Sequence, residues 1–398
     1  MDALTTPLPK DWEIKTFRDI STINQGLQIP ISQRLKAPIE HAKFYITIQA
    51  LNNRKEFEYI KTYNESVVCH KDDILMTRTG NTGMVITNIE GVFHNNFFKI
   101  NFDRTLINKD FLVYFLSLEQ TQKTILRKAG TSTIPDLNHN DFYSLSIPLP
   151  PLNEQIAIAN ILSDVDRYLY NLDALILKKE SVKKALSFEL LSQRKRLKGF
   201  NQAWQKVRLG TYKYRRGSFP QPYGNPQWYS DNGMPFVQVY DVGENFKLTQ
   251  KTKQKISKIA QPMSVFVPKN SVIITLQGTI GRVALTQYDC YCDRTILIFD
   301  NNTLNDVNKY FFVLSLFTKF EEEKRKADGS IIKTITKQTL KDFEILLPPL
   351  NEQIAIANIL SDLDSEIISL KNKKRQFDNI KKALNHDLMS AKIRVLKK

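Results

Sequence analysis

Sixteen consecutive residues, LPPLNEQIAIANILSD, occur twice in this chain, at 149–164 and 347–362, an offset of 198 positions. The 398 residues are thereby two copies of one plan. Solenoid repeats have periods of about 20–50 residues, so each copy here is a domain followed by its connector. The segments ahead of the repeat are barely alike. A constant connector behind variable domains points to two different readers on one frame.

Composition narrows what is read. Hydrophobic content of 42% and charged content of 25% are ordinary for a globular chain, whereas a formal charge of +16 is not. Lys plus Arg against Asp plus Glu runs 17 to 16 over residues 1–150, 9 to 6 over 151–200, 21 to 13 over 201–348 and 10 to 6 over 349–398. The second copy therefore holds twelve of the sixteen surplus charges. A polyanionic partner is expected, with its electrostatic attraction concentrated in the second copy. Cys69, Cys290 and Cys292 form no even framework and no zinc spacing, so reduced thiols and no metal are expected. No secretory pattern opens the sequence, and no apolar run approaches the ~20 residues of a membrane span. A cytoplasmic protein is expected.

Along the chain, each copy opens on a tryptophan and an alternating run, residues 12–17 and 204–209. Short β-rich runs follow at 44–48, 74–77, 236–240, 265–267 and 272–275, broken by Gly, Asn and Asp. In both copies one strand enters a turn with two glycines three positions apart, Gly80 and Gly83 against Gly278 and Gly281. Such glycines permit positive φ or close backbone approach.

After the paired prolines the period changes. Asn153 and Asn351 are candidate helix N-caps, with Glu154 and Glu352 suited to the positive end of the dipole. Apolar residues then recur at Val165, Leu169, Leu172, Ile176, Val182, Leu186 and Leu190, and at Leu363, Ile367, Leu370, Phe377, Ile380, Leu384 and Leu388. This is a narrow helix-to-helix seam. The two helices either pair antiparallel or pack sideways onto their own domains. Paired, a helix over 165–194 would be a rod of roughly 45 Å, equal to about 13 base pairs, and would act as a ruler.

Catalytic motifs are missing. The sequence has no phosphate-binding Gly-rich loop, no dinucleotide fingerprint and no Asp/Asn-Pro-Pro-Tyr/Phe tetrapeptide. Pro135-Asp136 lacks the Glu-x-Lys that would complete a nuclease site, and the five histidines fall singly. A binder is expected. A self-contained dimeric DNA-binding regulator and an enzyme with an unrecognised site are the competing readings.

The Leu-Pro-Pro-Leu-Asn-Glu-Gln run ahead of a long helix, repeated once, resembles the specificity subunits of type I restriction-modification systems. Gly233-Met-Pro-Phe-Val-Gln-Val-Tyr-Asp-Val242 and the strand-turn ending at Gly80 are similar to the target-recognition domains of that family. The resemblance implies an α+β chain with two mixed α/β target-recognition domains, related by pseudo-two-fold symmetry and separated by two long antiparallel coiled-coil helices. Its boundaries would be 1–150 for the first domain, 151–200 for the central helix region, 201–348 for the second domain and 349–398 for the C-terminal helix region. It implies that each domain reads one half of a bipartite DNA site and that the helices set the spacer. Two modification subunits, methylating adenine N6 with S-adenosylmethionine, and restriction subunits using ATP and Mg would dock on this chain, which itself catalyses nothing.

Base readers are sought among polar loop residues, because base-edge contacts carry sequence information. They are Arg78, Thr79, Asn81, Thr82, Thr131 and Ser132 in the first domain, and Arg215, Arg216, Gln277, Thr279, Arg282 and Ser330 in the second. Arg78 aligns with Leu276, so its contact does not carry over. Identity between the copies, which two equal partners would require, marks Glu154, Gln155, Ile158 and Ile161, with Glu352, Gln353, Ile356 and Ile359, for subunit docking. Forming the same helix start in both copies is the simpler cause.

Overall fold

The computed structural model describes residues 8–52, 57–130, 133–243, 245–278, 280–326 and 337–395. It divides into two compact units, residues 1–175 with 370–398, and residues 176–369. The four expected regions are thus regrouped, because each unit takes part of both long helices, Leu152–Leu191 and Leu350–Met389.

In the first unit the alternating run becomes strand Glu13–Thr16, paired antiparallel with Ser146–Leu149, so the chain enters and leaves the domain at one edge. Phe17 turns instead into a short helix, Phe17–Ile20, whose first turn is closed by Thr16 and Asp19. An antiparallel sheet has the order Ser21–Gln25, Phe97–Phe102, Ile74–Thr77, Val85–Ile86. A second has the order Tyr59–Ile60, Lys43–Ile46, Gly91–Phe93, Val68–Cys69, with its middle pair parallel. Ile74–Thr77 is buried on both faces, which explains its unbroken apolar run.

The second unit repeats both orders. Gln205–Arg208 pairs with Glu344–Leu347. One sheet is Tyr214–Arg216, Ile296–Phe299, Val272–Thr275, Val283–Leu285, and the other Gln254–Ile256, Tyr229–Val237, Cys290–Cys292, Val265–Val267, again with the middle pair parallel. Strand 229–237 stops earlier than its sequence suggests, since Val239–Asp241 closes into a 3-10 turn held by the Asp241 carboxylate on the Gln238 amide (2.9 Å). All three cysteines are free and buried.

Both long helices have 40 residues, longer than expected, and begin at Leu152 and Leu350. Asn153 and Asn351 therefore lie inside the first turn and are not the caps. Leu169, Leu172, Ile176, Leu190, Ile367 and Leu388 are buried along the seam, but Val182 and Ile380 are exposed. Their neighbours Lys183 and Lys381 take those levels. In the first unit Lys381 pairs with Asp166, to which the Tyr114 hydroxyl also donates (2.8 Å). In the second, Lys183 pairs with Asp364, which also accepts from Tyr310. Within each unit the helix pieces run antiparallel, as the pairs Asp166–Lys381 and Asp173–Lys374, and Lys179–Glu366 and Lys183–Asp364, require.

Candidate nucleic-acid interface and the repeated motif

The buried strand Ile74–Thr77 delivers the first glycine turn to the end of its sheet. Gly83 N–H returns to Thr77 O (2.8 Å), and Gly80 and Gly83 both have φ of +89°, the region only glycine enters freely. Arg78 N–H donates to Asn96 O (2.7 Å), and Leu137 N–H donates to Arg78 O (2.9 Å). The side chains add a second brace. Arg78 Nη2 donates to Asp136 Oδ2 (2.6 Å), Thr79 Oγ1 donates to the other Asp136 oxygen, and Thr82 Oγ1 donates to Pro135 O (2.7 Å). Burial pushes the Asp136 carboxyl upward, but the hydrogen bonds from Thr79 and Arg78 outweigh it and hold it below the usual carboxylate range.

This geometry sorts the four candidates of the first turn. Thr82 is buried and spends its hydroxyl on backbone oxygens, so it is a brace and not a reader. Arg78 and Thr79 are half-buried and committed to Asp136. Asn81 is exposed at the tip. Asp136, weighed from sequence only as a fragment of a nuclease motif, is the post to which the turn is tied. Thr131 and Ser132 lie outside the described residues.

The second turn has the same frame with other side chains. Leu276 N–H donates to Thr295 O (2.8 Å) and Gly281 N–H to Thr275 O (2.9 Å), matching the bonds at Arg78 and Gly83. Leu276 is buried where the first domain has Arg78, and Gln277 is exposed. Arg282 points inward, its Nη1 donating to Val242 O (3.1 Å), so it does not belong to the rim. Thr279 and Ser330 lie outside the described residues. Arg216 pairs with Leu297, which also faces Ile274, so Arg216 leaves the sheet at the same end as the turn. Arg215 is exposed and donates to Phe266 O (3.1 Å).

Sequence reasoning missed Gly26 and Gly217. A Cβ on Gly26 would lie 2.2 Å from His94 O, and one on Gly217 would lie 2.2 Å from Asp293 O. The one signal available was a glycine at a similar distance after Trp12 and Trp204.

The docking candidates turn inward. Glu154 is 2% exposed and accepts from Trp12 Nε1 (3.0 Å) and from Arg394 Nε (2.7 Å) and Nη2 (2.9 Å), while Arg394 also grips Asp11. In the second unit Glu352, 0% exposed, accepts from Trp204 Nε1 (3.1 Å) and from Arg196 Nε (3.2 Å) and Nη2 (2.6 Å). Gln155 accepts from Asn108 N–H (2.9 Å) and donates to Leu106 O and Pro150 O; Gln353 does the same with Asn308 N–H, Asp306 O and Pro348 O. Ile158 and Ile356 are core residues, and Ile161 and Ile359 are half-buried. The identity of these residues between copies thus follows from repeating one internal knot, since buried polar groups must be partnered. The outward positions of the same stretch are Asn153, Ile156 and Asn160, and Asn351, Ile354 and Asn358.

Among the described residues no cluster of three or more His, Cys, Asp or Glu is placed to hold a metal, and no helix is long and apolar enough to cross a membrane.

Comparison with known proteins agrees with this layout. The chain is 26% identical to the putative type I restriction enzyme MjaX specificity subunit of Methanocaldococcus jannaschii, over 98% of this chain and 95% of that one. It is 24% identical to the MjaVIII specificity subunit of the same organism, over 98% and 94%. In fold it is similar to the type I restriction-modification S subunit from M. genitalium, with a TM-score of 0.61 at 17% identity, covering 96% of this chain and 98% of that one. It is also similar to the HsdS subunit from Thermoanaerobacter tengcongensis, with a TM-score of 0.52 at 19% identity, covering 98% and 99%. A family model described as type I restriction modification DNA specificity domain matches residues 9–180 and again 221–377, and the chain belongs to that family.

Proposed function

We propose that this chain is the DNA-reading subunit of a type I restriction-modification assembly and performs no chemistry itself. The observation that carries the reading is the pair of glycine turns: one hydrogen-bonded frame, built twice, presents the exposed Asn81 in one domain and the exposed Gln277 in the other. A constant frame with exchanged side chains is what two half-sites of different sequence call for. The paired helices then set the spacing between the half-sites.

Two modification subunits, bringing S-adenosylmethionine and methylating adenine N6, dock on the surface that both copies share. That surface is the outward face bearing Ile156 and Ile354 with their flanking asparagines, in place of the buried Glu154, Gln155, Ile158, Glu352, Gln353 and Ile356. Two identical exposed patches suit two identical partners. Restriction subunits bring ATP and Mg to the completed assembly.

Co-expression of the chain with the modification subunit of its system tests this. Methylation of host adenines is expected from the pair and not from the chain alone. Ile156→Asp combined with Ile354→Asp is expected to abolish co-purification while duplex binding by the chain persists. Methylation by the isolated chain, or undiminished co-purification of the double variant, contradicts the reading.

A further inference from the structure

We infer that Lys251, Lys253 and Lys255 form a phosphate-gripping comb beside the second reader's turn, giving the two domains different electrostatic duties. The inference rests on the DNA-reading function proposed above. Strand Gln254–Ile256 is the edge of its sheet, and the exposed lysines occur at every second position leading into it, with Thr252, Gln254 and Ile256 less exposed between them. Lys255 lies in the strand and Lys251 and Lys253 in the bent approach to it, all three exposed along one sheet edge, with the Lys255 ammonium donating to Asp231 O (2.9 Å). Among the described residues none of the three has a carboxylate within ion-pairing distance. Lys15, Lys36, Lys43, Lys109 and Lys123 of the first unit are each paired with an acid.

Two fixtures hold the comb next to the turn. The buried Asp241 carboxylate accepts from Lys253 N–H (3.1 Å), and the Lys253 ammonium lies 4.5 Å from the centre of the Tyr240 ring. Val239, one residue before Tyr240, is the side chain on which the turn rests, 3.5 Å from where a Cβ of Gly278 would be. A duplex strand lying against Gln277 would therefore pass the comb.

The first unit differs at the same register. Tyr59 faces Phe44 where Lys255 faces Pro235, and two residues earlier Phe57, 41% exposed, stands where Lys253 does. Phe57 and Tyr59 both pack edge-on against Phe44, with ring centres 5.6 and 6.2 Å apart. At these two positions the edge is aromatic in the first domain and cationic in the second. Edge lysines also blunt strand-to-strand aggregation, and the test must separate the two roles.

The full-length chain is titrated with a 30-base-pair duplex of random sequence at several salt concentrations. Replacing all three lysines by Gln is expected to lower the slope of log affinity against log salt by about 2 to 3, at ~0.9 per released phosphate contact. The triple Lys→Arg variant is expected to keep the wild-type slope, and triple Gln replacement of the paired Lys15, Lys36 and Lys109 to change it by less than one. An unchanged slope in the Lys251/253/255→Gln variant, with or without aggregation, overturns the comb and leaves the proposed function standing. Failure of the wild-type chain to bind duplex at low salt overturns both.

Discussion

Replacing Arg394 with Ala should loosen a domain that lies more than two hundred residues earlier in sequence. Arg394 follows the second copy's helix, yet it belongs to the first unit, where it supplies two hydrogen bonds to the buried Glu154 carboxylate. Its loss leaves Trp12 as the remaining side-chain donor to that carboxylate. Hydrogen bonds to a charged group contribute about 1.5–3 kcal/mol each. The two are not independent, and water reaches Arg394 from outside, so the expected cost is roughly 3 kcal/mol, the lower end for breaking a buried pair. In a unit of this size that lowers its melting temperature by about 6–12 °C. Glu154→Gln added to Arg394→Ala removes the uncompensated charge and should recover part of the loss.

Hydrogen exchange gives the decisive readout. Amides of strands Glu13–Thr16 and Ser146–Leu149 and of Asn108 should exchange faster in Arg394→Ala, while those of Gln205–Arg208 and Glu344–Leu347 stay protected. The mirror variant, Arg196→Ala, should do the reverse through Glu352. An unmoved transition, or equal exposure of both strand pairs in either variant, would refute the claim that the repeated motif is an internal clamp.

Two further outcomes follow from the turns. The Asp136 carboxyl is held below its ordinary value of 3.8, so its bracing of Arg78 and Thr79 is fully present above that pH and is lost as pH falls through the lower folded value. The Leu137 amide should stay protected at pH 5 and open only as pH falls below the ordinary carboxylate range, and Asp136→Asn should expose it already at pH 5; a pH-independent Leu137 amide would contradict the brace. Gly217→Ala places a methyl against the backbone of Cys292 and Asp293. It should cost about 1–3 kcal/mol and weaken duplex binding by displacing Arg216, whereas Gly224→Ala, with open space around it, should change neither.

The long helices were legible because apolar residues recur at helical spacing from Val165 to Leu190 and from Leu363 to Leu388, and the short strands because their apolar runs are bounded by Gly, Asn and Asp. What the sequence hid was which polar residues are buried. Glu154 and Gln155 looked like surface because charged and amide groups seldom lie inside without partners, and those partners, Trp12, Arg394 and Asn108, are distant in sequence. Val182 and Ile380 looked like seam for the converse reason: their levels are taken by Lys–Asp pairs formed between the two helices, which a single-helix period does not contain. Helical spacing did hold one unused clue, since Ile156 and Asn160 fall on the face opposite Ile158 and Leu162. At the turns the shared glycines were readable, but Arg282 and Thr82 were not separable from Gln277 and Asn81, because all are polar loop residues and only the folded backbone tells which have found carbonyl partners.

The central claim is that each domain reads its own half of one DNA site. It is tested most directly by exchanging residues 201–348 for the corresponding domain of another specificity subunit and mapping methylated adenines across the host genome. One half of the methylated sequence should change while the other half stays the same. A change in both halves, or in neither, would contradict the account.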